Sequence, residues 1–195
     1  MASPGQDFDD AVLGHGLAPA AEAALREAGL RRADPPAAMA ALMRARALAP
    51  DHPAVLIAFY RHHFYGHQFA AARAVARHAM AVGAQALGLP TLWRDVPACA
   101  LAGAAGDPGT RFYLFVLKGY AYLSLRLGDG TEARDALALL RHLDPNDHVG
   151  GAVLEAVRQR AAHDPGESAA DDDEPGPALT ASGAAAWAQV TGAAP

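Results

Sequence analysis

Residues 111–145 read RFYLFVLKGYAYLSLRLGDGTEARDALALLRHLDP, and this stretch predicts a pair of antiparallel helices. Small and apolar side chains recur at helical spacing on one face of the first run, namely Leu114, Leu117, Tyr120, Ala121 and Ser124. Gly128 and Gly130 are predicted to end that helix, because glycine adopts positive φ without strain. The second run presents Ala133, Leu137 and Leu140 on one face. Pro145 closes it, because proline has no backbone N–H with which to continue a helix.

This hairpin resembles the tetratricopeptide repeat (TPR), a unit of two helices that spans about 34 residues. Counted from Leu114, Leu117 falls where the family often has tryptophan, and Ala133 falls at its close-packing alanine. Pro145 matches the family's final proline, whereas Ser124 stands where a tyrosine is usual. The resemblance implies a stack of helical hairpins whose first helices line a ligand-binding surface.

The same unit recurs twice earlier in the chain. Pro50 closes the first copy, whose second-helix positions carry Ala38, Leu42 and Ala45. One family period of about 34 residues onward, a second copy is predicted to start at Pro53. Its apolar positions are all filled, by Leu56, Phe59, Tyr60, Ala72, Ala76 and Ala79. The sequence therefore predicts an all-α domain of about three TPR-like hairpins that form a short right-handed superhelix.

The predicted organisation has three parts. Residues 1–18 are expected to be a disordered or loosely docked lead, residues 19–163 a helical-repeat domain, and residues 164–195 an acidic disordered tail that could hold a short helix near Trp187. The repeats are placed at 19–52, 53–86 and 114–147, with an insertion at 87–113 and a C-terminal capping helix at 148–162. The insertion, rich in proline and glycine, is either functional or a cover in which Leu92 and Trp93 close an apolar face.

The charge of the chain is unevenly distributed. The net charge is −5, yet the tail contributes six acidic residues and no cation, so the rest of the chain carries about +1. Nucleic-acid binding is not expected, because the basic excess that it needs is absent. No apolar run approaches the roughly 20 residues of a membrane span, so no membrane association is expected either.

Two features point to the cytoplasm. The N-terminal stretch has acidic residues and lacks the basic region of a secretory signal. Cys99 is the single cysteine, so the chain cannot form an internal disulfide. We expect Cys99 to be a buried small apolar thiol, with a catalytic nucleophile as the less favoured alternative.

The TPR resemblance also implies candidate partner-binding residues. At the family's ligand-facing positions this chain places cations beside aromatic side chains: Arg31, Arg61, Phe64, Tyr65, Phe115, Lys118, Tyr122 and Arg126. Such a mixture suits a polypeptide with acidic and apolar anchors. The asparagines of the family's carboxylate clamp are absent, which argues against binding of chaperone C-termini. The alternative is that the cations are ordinary solvated surface and the aromatics belong to the core.

Chemistry at a metal or a catalytic centre is not expected. His62, His63 and His67 are weak metal candidates, because no cysteine or carboxylate stands near them in sequence and Gly66 is predicted to break their helix. The motifs of phosphate-binding loops, serine hydrolases and zinc proteases are absent. We therefore predict no catalytic residues and no cofactor.

The function expected from these observations is that of a non-enzymatic adaptor or assembly factor that binds a protein partner. Four stretches are also similar to a small bacterial TPR-like family associated with nitrogen-fixation gene neighbourhoods. They are residues 54–65 (AVLIAFYRHHFY), 88–90 (GLP) with Trp93 and Arg94, 111–115 (RFYLF) with Lys118, and 149–151 (VGG) with Val153 and Leu154. That resemblance implies an accessory factor in nitrogen fixation. A type III secretion-like TPR chaperone and a metal-responsive binding protein that uses the histidines remain alternatives. The acidic tail, with Trp187 as an anchor, is a further candidate occupant of the groove.

Overall fold

The computed structural model describes residues 4–101, 104 and 106–163. Over these residues every regular element is helical and no strand is present, which confirms the predicted all-α class. The eight α-helices are α1 (Pro4–Val12), α2 (Pro19–Leu30), α3 (Pro35–Leu48), α4 (Pro53–Tyr65), α5 (Phe69–Ala86), α6 (Pro108–Arg126), α7 (Gly130–Leu143) and α8 (Gly151–His163). A single 3-10 turn at Trp93–Asp95 lies between α5 and α6.

Proline marks the start of five of these helices, at Pro4, Pro19, Pro35, Pro53 and Pro108. The missing N–H has little cost there, because the first donors of a helix have no intrahelical acceptor. The fixed φ of proline is also already close to the helical value. Prolines therefore set most of the amino-terminal helix boundaries in the described chain.

The turn between α6 and α7 follows the sequence prediction only in part. Gly128 has φ +76°, as expected for a glycine that ends a helix. Gly130 was also expected to be a stop, but it is the first residue of α7. The Asp129 carboxylate explains this difference, because it accepts a hydrogen bond from Glu132 N at 3.3 Å and so caps the new helix.

Neighbouring helices pack in pairs. α2 packs on α3, α4 on α5 and α6 on α7, and α5 and α6 also share an extensive contact. The predicted faces are buried in these contacts, including Ala45, Ala76, Leu117 and Leu140. Small residues allow the close approach of α5 to α6, since a Cβ atom added at Gly83 would lie 3.4 Å from the Phe112 ring. The second and third pairs are thus contiguous in space.

The predicted end of the insertion, at residue 113, is wrong. The helix α6 begins at Pro108, six residues before the predicted start of the third unit at residue 114. Gly109 and Thr110 are buried in the first turn of this helix. Proline and glycine were taken as helix breakers, but the first turn tolerates proline for the reason given above. The connection between α5 and α6 is correspondingly shorter and covers residues 87–107.

Part of this connection covers the core. Trp93 is 4% exposed and its ring centroid lies 5.9 Å from that of Tyr120. Arg94 lies over the Trp93 ring at 4.4 Å and pairs with Glu132 of α7, which also accepts the Tyr120 hydroxyl. The hydrogen bond from Arg94 holds the pKa of Glu132 below its usual range. One of the two alternatives for this segment also placed Leu92 over an apolar face, but Leu92 is 54% exposed.

The amino-terminal lead is not a disordered or loosely docked segment over its whole length. Pro4–Val12 form α1, which packs against α4, α5 and α6. Phe8 is 9% exposed and Val12 is 5% exposed, so the helix buries an apolar face. Phe8 and Val12 are four residues apart and share one helix face, but two apolar residues in a short segment are a weak signal for a helix in the sequence alone.

The carboxyl-terminal part differs from the sequence prediction in detail. α8 packs against α7 where a capping helix was expected. Among the large apolar side chains of α8, Leu154 is partly buried, whereas Val153 and Val157 are 58% and 44% exposed. The predicted tail at 164–195 and the helix near Trp187 lie outside the described residues.

Cys99 is exposed, so the prediction of a buried thiol is wrong. It lies in a turn whose buried side chains are Val96 and Leu101, on either side of it in sequence. None of the helices in the described part of the chain has both the length and the apolar character needed to cross a lipid bilayer.

Candidate functional site

The candidate site lies where α4 and α6 run side by side. A Cβ atom added at Gly119 of α6 would lie 2.8 Å from the Tyr60 hydroxyl of α4. One turn further along both helices, the Phe64 and Tyr122 ring centroids are 5.7 Å apart. The two contacts advance in the same direction along the sequence, so the two helices run parallel. Their adjacent faces form one continuous strip.

Phe64 is the centre of a cluster of aromatic rings on this strip. It stacks on Tyr60 at 5.7 Å with an interplanar angle of 18°. The Tyr65 and Phe69 rings meet it edge to face at 5.5 Å and 6.2 Å. With Tyr122, four rings therefore contact Phe64, which fixes its position on the strip. Tyr65 is 54% exposed, so the cluster reaches the surface.

Two guanidinium groups border this ring cluster. Arg126 lies 4.6 Å from the Phe69 centroid and 5.9 Å from that of Tyr122, whose hydroxyl accepts a hydrogen bond from it at 2.9 Å. Arg61 lies 5.8 Å from the Tyr65 centroid. Each exposed cation–π contact contributes about 0.5–1 kcal/mol, so the rings hold the cations in place without neutralising their charge. The result is an aromatic surface with a positive border.

Lys118 and Phe115 form a separate pair on α6. The Lys118 ammonium lies 5.6 Å from the Phe115 centroid and donates to the Val149 carbonyl at 2.5 Å. Burial lowers the pKa of Lys118, although the nearby charge of Asp147 acts in the opposite direction. Lys118 therefore holds the connection between α7 and α8 and is only half-exposed to a ligand.

The structure brings together five of the eight predicted residues: Arg61, Phe64, Tyr65, Tyr122 and Arg126. Phe115 and Lys118 make their own contact, as described above. Arg31 is exposed at the carboxyl end of α2. It takes no part in the described ring–ring and cation–π contacts of α4 and α6. The sequence prediction missed Phe69, which starts α5, because it considered only the first helix of each hairpin.

Burial raises the pKa of the Tyr60 phenol well above its ordinary value, and the neighbouring Tyr122 and Tyr65 add to the effect. Tyr60 is therefore neutral throughout the physiological range. Burial also lowers the pKa of His62, with a smaller contribution from His63. His62 is consequently uncharged at neutral pH, and the positive charge of the strip comes from its arginines.

The three histidines are not arranged as metal ligands. α4 ends at Tyr65, as the predicted break at Gly66 requires, and His67 adopts φ +54° beyond it. His63 and His67 thus do not share a helix face, and His63 Nδ1 lies 2.6 Å from the Gln68 side-chain oxygen. In the portion of the chain that the structure describes, no three histidine, cysteine, aspartate or glutamate residues are grouped so as to hold a metal ion.

Two described cavities lie away from the ring cluster. One of about 150 Å³ is bordered by Arg46, Phe59 and His78 of α3, α4 and α5. The other, of about 310 Å³, lies between α7 and α8 and includes Glu155 in its wall. Arg158 holds the pKa of Glu155 at about 2, so this carboxylate is ionised and already paired. Neither cavity brings together a nucleophile and a base.

Comparison with models of known protein families, with curated proteins and with solved structures found no match for this chain. The resemblance to the TPR family and the weaker one to a nitrogen-fixation family therefore stay predictions from the sequence.

Proposed function

We propose that this chain is a non-enzymatic module of TPR-like hairpins that binds a partner polypeptide across α4 and α6. The observation that carries the proposal is the Phe64 ring cluster with its border of Arg61 and Arg126. These side chains come from two helices that are separated in sequence by the whole of α5, yet they form one surface. We call this surface the ring groove and define it by Arg61, Phe64, Tyr65, Tyr122 and Arg126.

The architecture supports a TPR-like assignment. Side chains of α4 reach α6 at Gly119 and Tyr122. Each of these two helices is followed by a helix that packs back against it. α2 and α3 form a further pair of the same kind, which precedes α4 in the chain. Repeated hairpins of this order form extended surfaces from their first helices, and a superhelical arrangement of the three pairs is part of the proposal.

The chemistry of the ring groove favours a partner with acidic and apolar side chains together. The guanidinium group of arginine is planar, and its geometry matches that of a carboxylate. Tyrosine and arginine are also enriched among the residues that dominate binding energies in protein interfaces. An extended or helical peptide with an acidic residue next to an apolar anchor would satisfy both groups.

The test compares selected peptides on three full-length chains. Peptides selected from a random library against the wild-type chain are expected to carry acidic residues beside aromatic or aliphatic ones. The double variant Arg61→Glu/Arg126→Glu should bind them at least about tenfold more weakly, which corresponds to about 1.4 kcal/mol. Arg32→Glu, an exposed arginine outside the groove, is the matched control and should bind as the wild type does.

Circular dichroism melting curves establish that the three chains are equally folded. Selected peptides without an acidic preference, or equal affinity for the wild type and the double variant, would contradict the proposed groove.

A further inference from the structure

The amino-terminal helix α1 occupies a socket formed by three other helices. Phe8 meets Phe112 of α6 edge to face, with centroids 5.6 Å apart and an interplanar angle of 80°. Phe8 and Val12 form one buried cluster with Leu56, Ala79 and Phe112. α1 thus lies across the amino-terminal ends of α4 and α6 and the carboxyl-terminal part of α5.

A polar contact fixes α1 in this socket. The Asp9 carboxylate accepts a hydrogen bond from Gly109 N at 2.7 Å, in the first turn of α6. The first N–H groups of a helix lack intrahelical acceptors and carry partial positive charge. Asp107, which precedes α6, makes no side-chain capping bond there. A carboxylate from another helix therefore supplies the cap that the local sequence does not.

The socket has room for the Asp9 carboxylate and the Phe8 ring because residue 109 is a glycine. A Cβ atom at Gly109 would lie 2.8 Å from the Asp9 carboxylate oxygen and 3.2 Å from the Phe8 ring. Glycine at this position thus provides the space that the docked Phe8-Asp9 pair needs. The socket combines an aromatic wall at Phe112 with a donor at Gly109.

Two of the three buried clusters in the described part of the chain are formed without α1. One of these clusters joins α2, α3 and α4, and the other joins α5, α6 and α7. Neither cluster includes a residue of α1. α1 has nine residues, and helices of that length are marginal without tertiary contacts. It is connected to α2 through Gly14 and Gly16, both at positive φ. Departure of α1 would therefore uncover Leu56, Ala79 and Phe112 without removing a member of the other two clusters.

We propose that α1 is a displaceable internal ligand and that the socket binds an amphipathic helix of a partner polypeptide with the same chemistry. That partner helix carries an aromatic residue followed directly by an aspartate, and an aliphatic residue four positions after the aromatic one. The chemistry is taken from the occupant in place: Phe8 fills the apolar wall, Asp9 caps α6 and Val12 completes the apolar face. This inference is independent of the ring groove, because the two surfaces share no residue.

The test uses the full chain and a fluorescein-labelled synthetic peptide of residues 3–14 as the probe. The variant Phe8→Ala/Asp9→Asn weakens the chain's own α1, and Asp10→Asn on the same helix is the exposed control. The probe should bind the double variant at least about tenfold more tightly than it binds the wild type or the control, because a tethered competitor has been weakened. A probe with asparagine in place of Asp9 should lose that gain.

Hydrogen exchange on the wild-type chain supplies a second measurement that needs no variant. The amides of α1 and that of Gly109, whose acceptor is Asp9, should exchange together and faster than the amides of residues 117–123. Equal protection of α1 and the α6 core would overturn the proposal, as would failure of the probe to bind the double variant. A concentration-dependent dimer of the wild type that exchanges α1 would also overturn it, because a second copy would then be the occupant.

Discussion

At the scale of single residues, Tyr60 of α4 lies directly against Gly119 of α6, at a position where a side chain on residue 119 would not fit without movement. Tyr60 is stacked on Phe64 and partly buried, which restricts the movement of its ring away from a larger neighbour. A side chain at position 119 would meet the hydroxyl first, at 2.8 Å, and then the ring carbon that carries it, at 3.3 Å. The ring groove therefore depends on a glycine that is not itself part of the binding surface.

Gly119→Ala is expected to destabilise the chain by about 1–3 kcal/mol, because it overpacks the contact between the two helices. Gly29→Ala on α2 is the matched control, since a Cβ atom there meets nothing within 4 Å. Alanine in a helix interior is favoured over glycine by about 0.5–1 kcal/mol, so the control should be neutral or stabilising. Urea denaturation of both variants measures the difference.

Removal of the Tyr60 hydroxyl should rescue the substitution. The double variant Tyr60→Phe/Gly119→Ala is expected to recover most of the lost free energy of unfolding, because the shortest contact disappears. Additive losses in the double variant would show that the two residues do not interact as the structure indicates.

At the scale of elements, the connection between α5 and α6 acts as a cover for the core. Its buried anchor is Trp93, which is held by Tyr120 and by the ion pair of Arg94 with Glu132. Leu92, the adjacent residue, is turned to solvent. Substitution of Trp93 and of Leu92 therefore compares the effect of a buried and an exposed side chain in the same segment on the free energy of unfolding.

Trp93→Ala should cost about 3–5 kcal/mol, as expected for removal of a large buried aromatic side chain. Leu92→Ala, the matched control, should change the free energy of unfolding by less than about 0.5 kcal/mol. Thermal denaturation followed by circular dichroism distinguishes the two. A small effect at Trp93 would mean that the connection does not stabilise the core.

The elements were predictable from the sequence to different degrees. The buried faces of α5, α6 and α7 follow from local periodicity, so Ala76, Leu117 and Leu140 were assigned to the core correctly. The start of α6 at Pro108 was missed, because proline in a first helical turn and proline in a loop look the same in sequence. α1 was missed for a different reason, since its helix is stabilised by Phe112 and Gly109, about 100 residues away.

At the scale of the whole molecule, the charge of the chain is divided between its parts. The tail carries six acidic residues and the rest of the chain about +1, while the ring groove displays two guanidinium groups. A covalently attached acidic segment has a high effective concentration at a basic surface. The sequence predicts that the tail, which lies outside the described residues, competes with an acidic partner for the ring groove and that Trp187 is an aromatic anchor.

Neutralisation of four tail residues tests this competition. A full-length chain with Asp171→Asn, Asp172→Asn, Asp173→Asn and Glu174→Gln should bind the selected acidic peptides about three- to tenfold more tightly than the wild type. Fluorescence anisotropy titrations measure this difference, and added salt should reduce it because exposed charges are screened. The variant Trp187→Ala should show a smaller gain of the same sign. Unchanged affinity in both variants would exclude tail competition.

Local sequence determined the all-helical character of the chain, most helix boundaries and the register of the buried faces. These properties depend on residues a few positions apart, through periodicity, prolines at helix starts and glycines at helix ends. Five of the eight candidate groove residues lie together in the structure, and their role in binding a partner stays a prediction from the resemblance to a repeat family.

Only the tertiary structure decided which side chains meet. In the structure Phe69 lies under Arg126, and Lys118 donates a hydrogen bond to the Val149 carbonyl. Asp9 accepts a hydrogen bond in the first turn of α6, and Arg31 lies apart from the described contacts of the ring groove. Each of these contacts joins helices that are distant in sequence, so it depends on how closely and in which direction the helices pack. That packing is set by small residues such as Gly83 and Gly119, whose effect appears only when the opposite helix is in place.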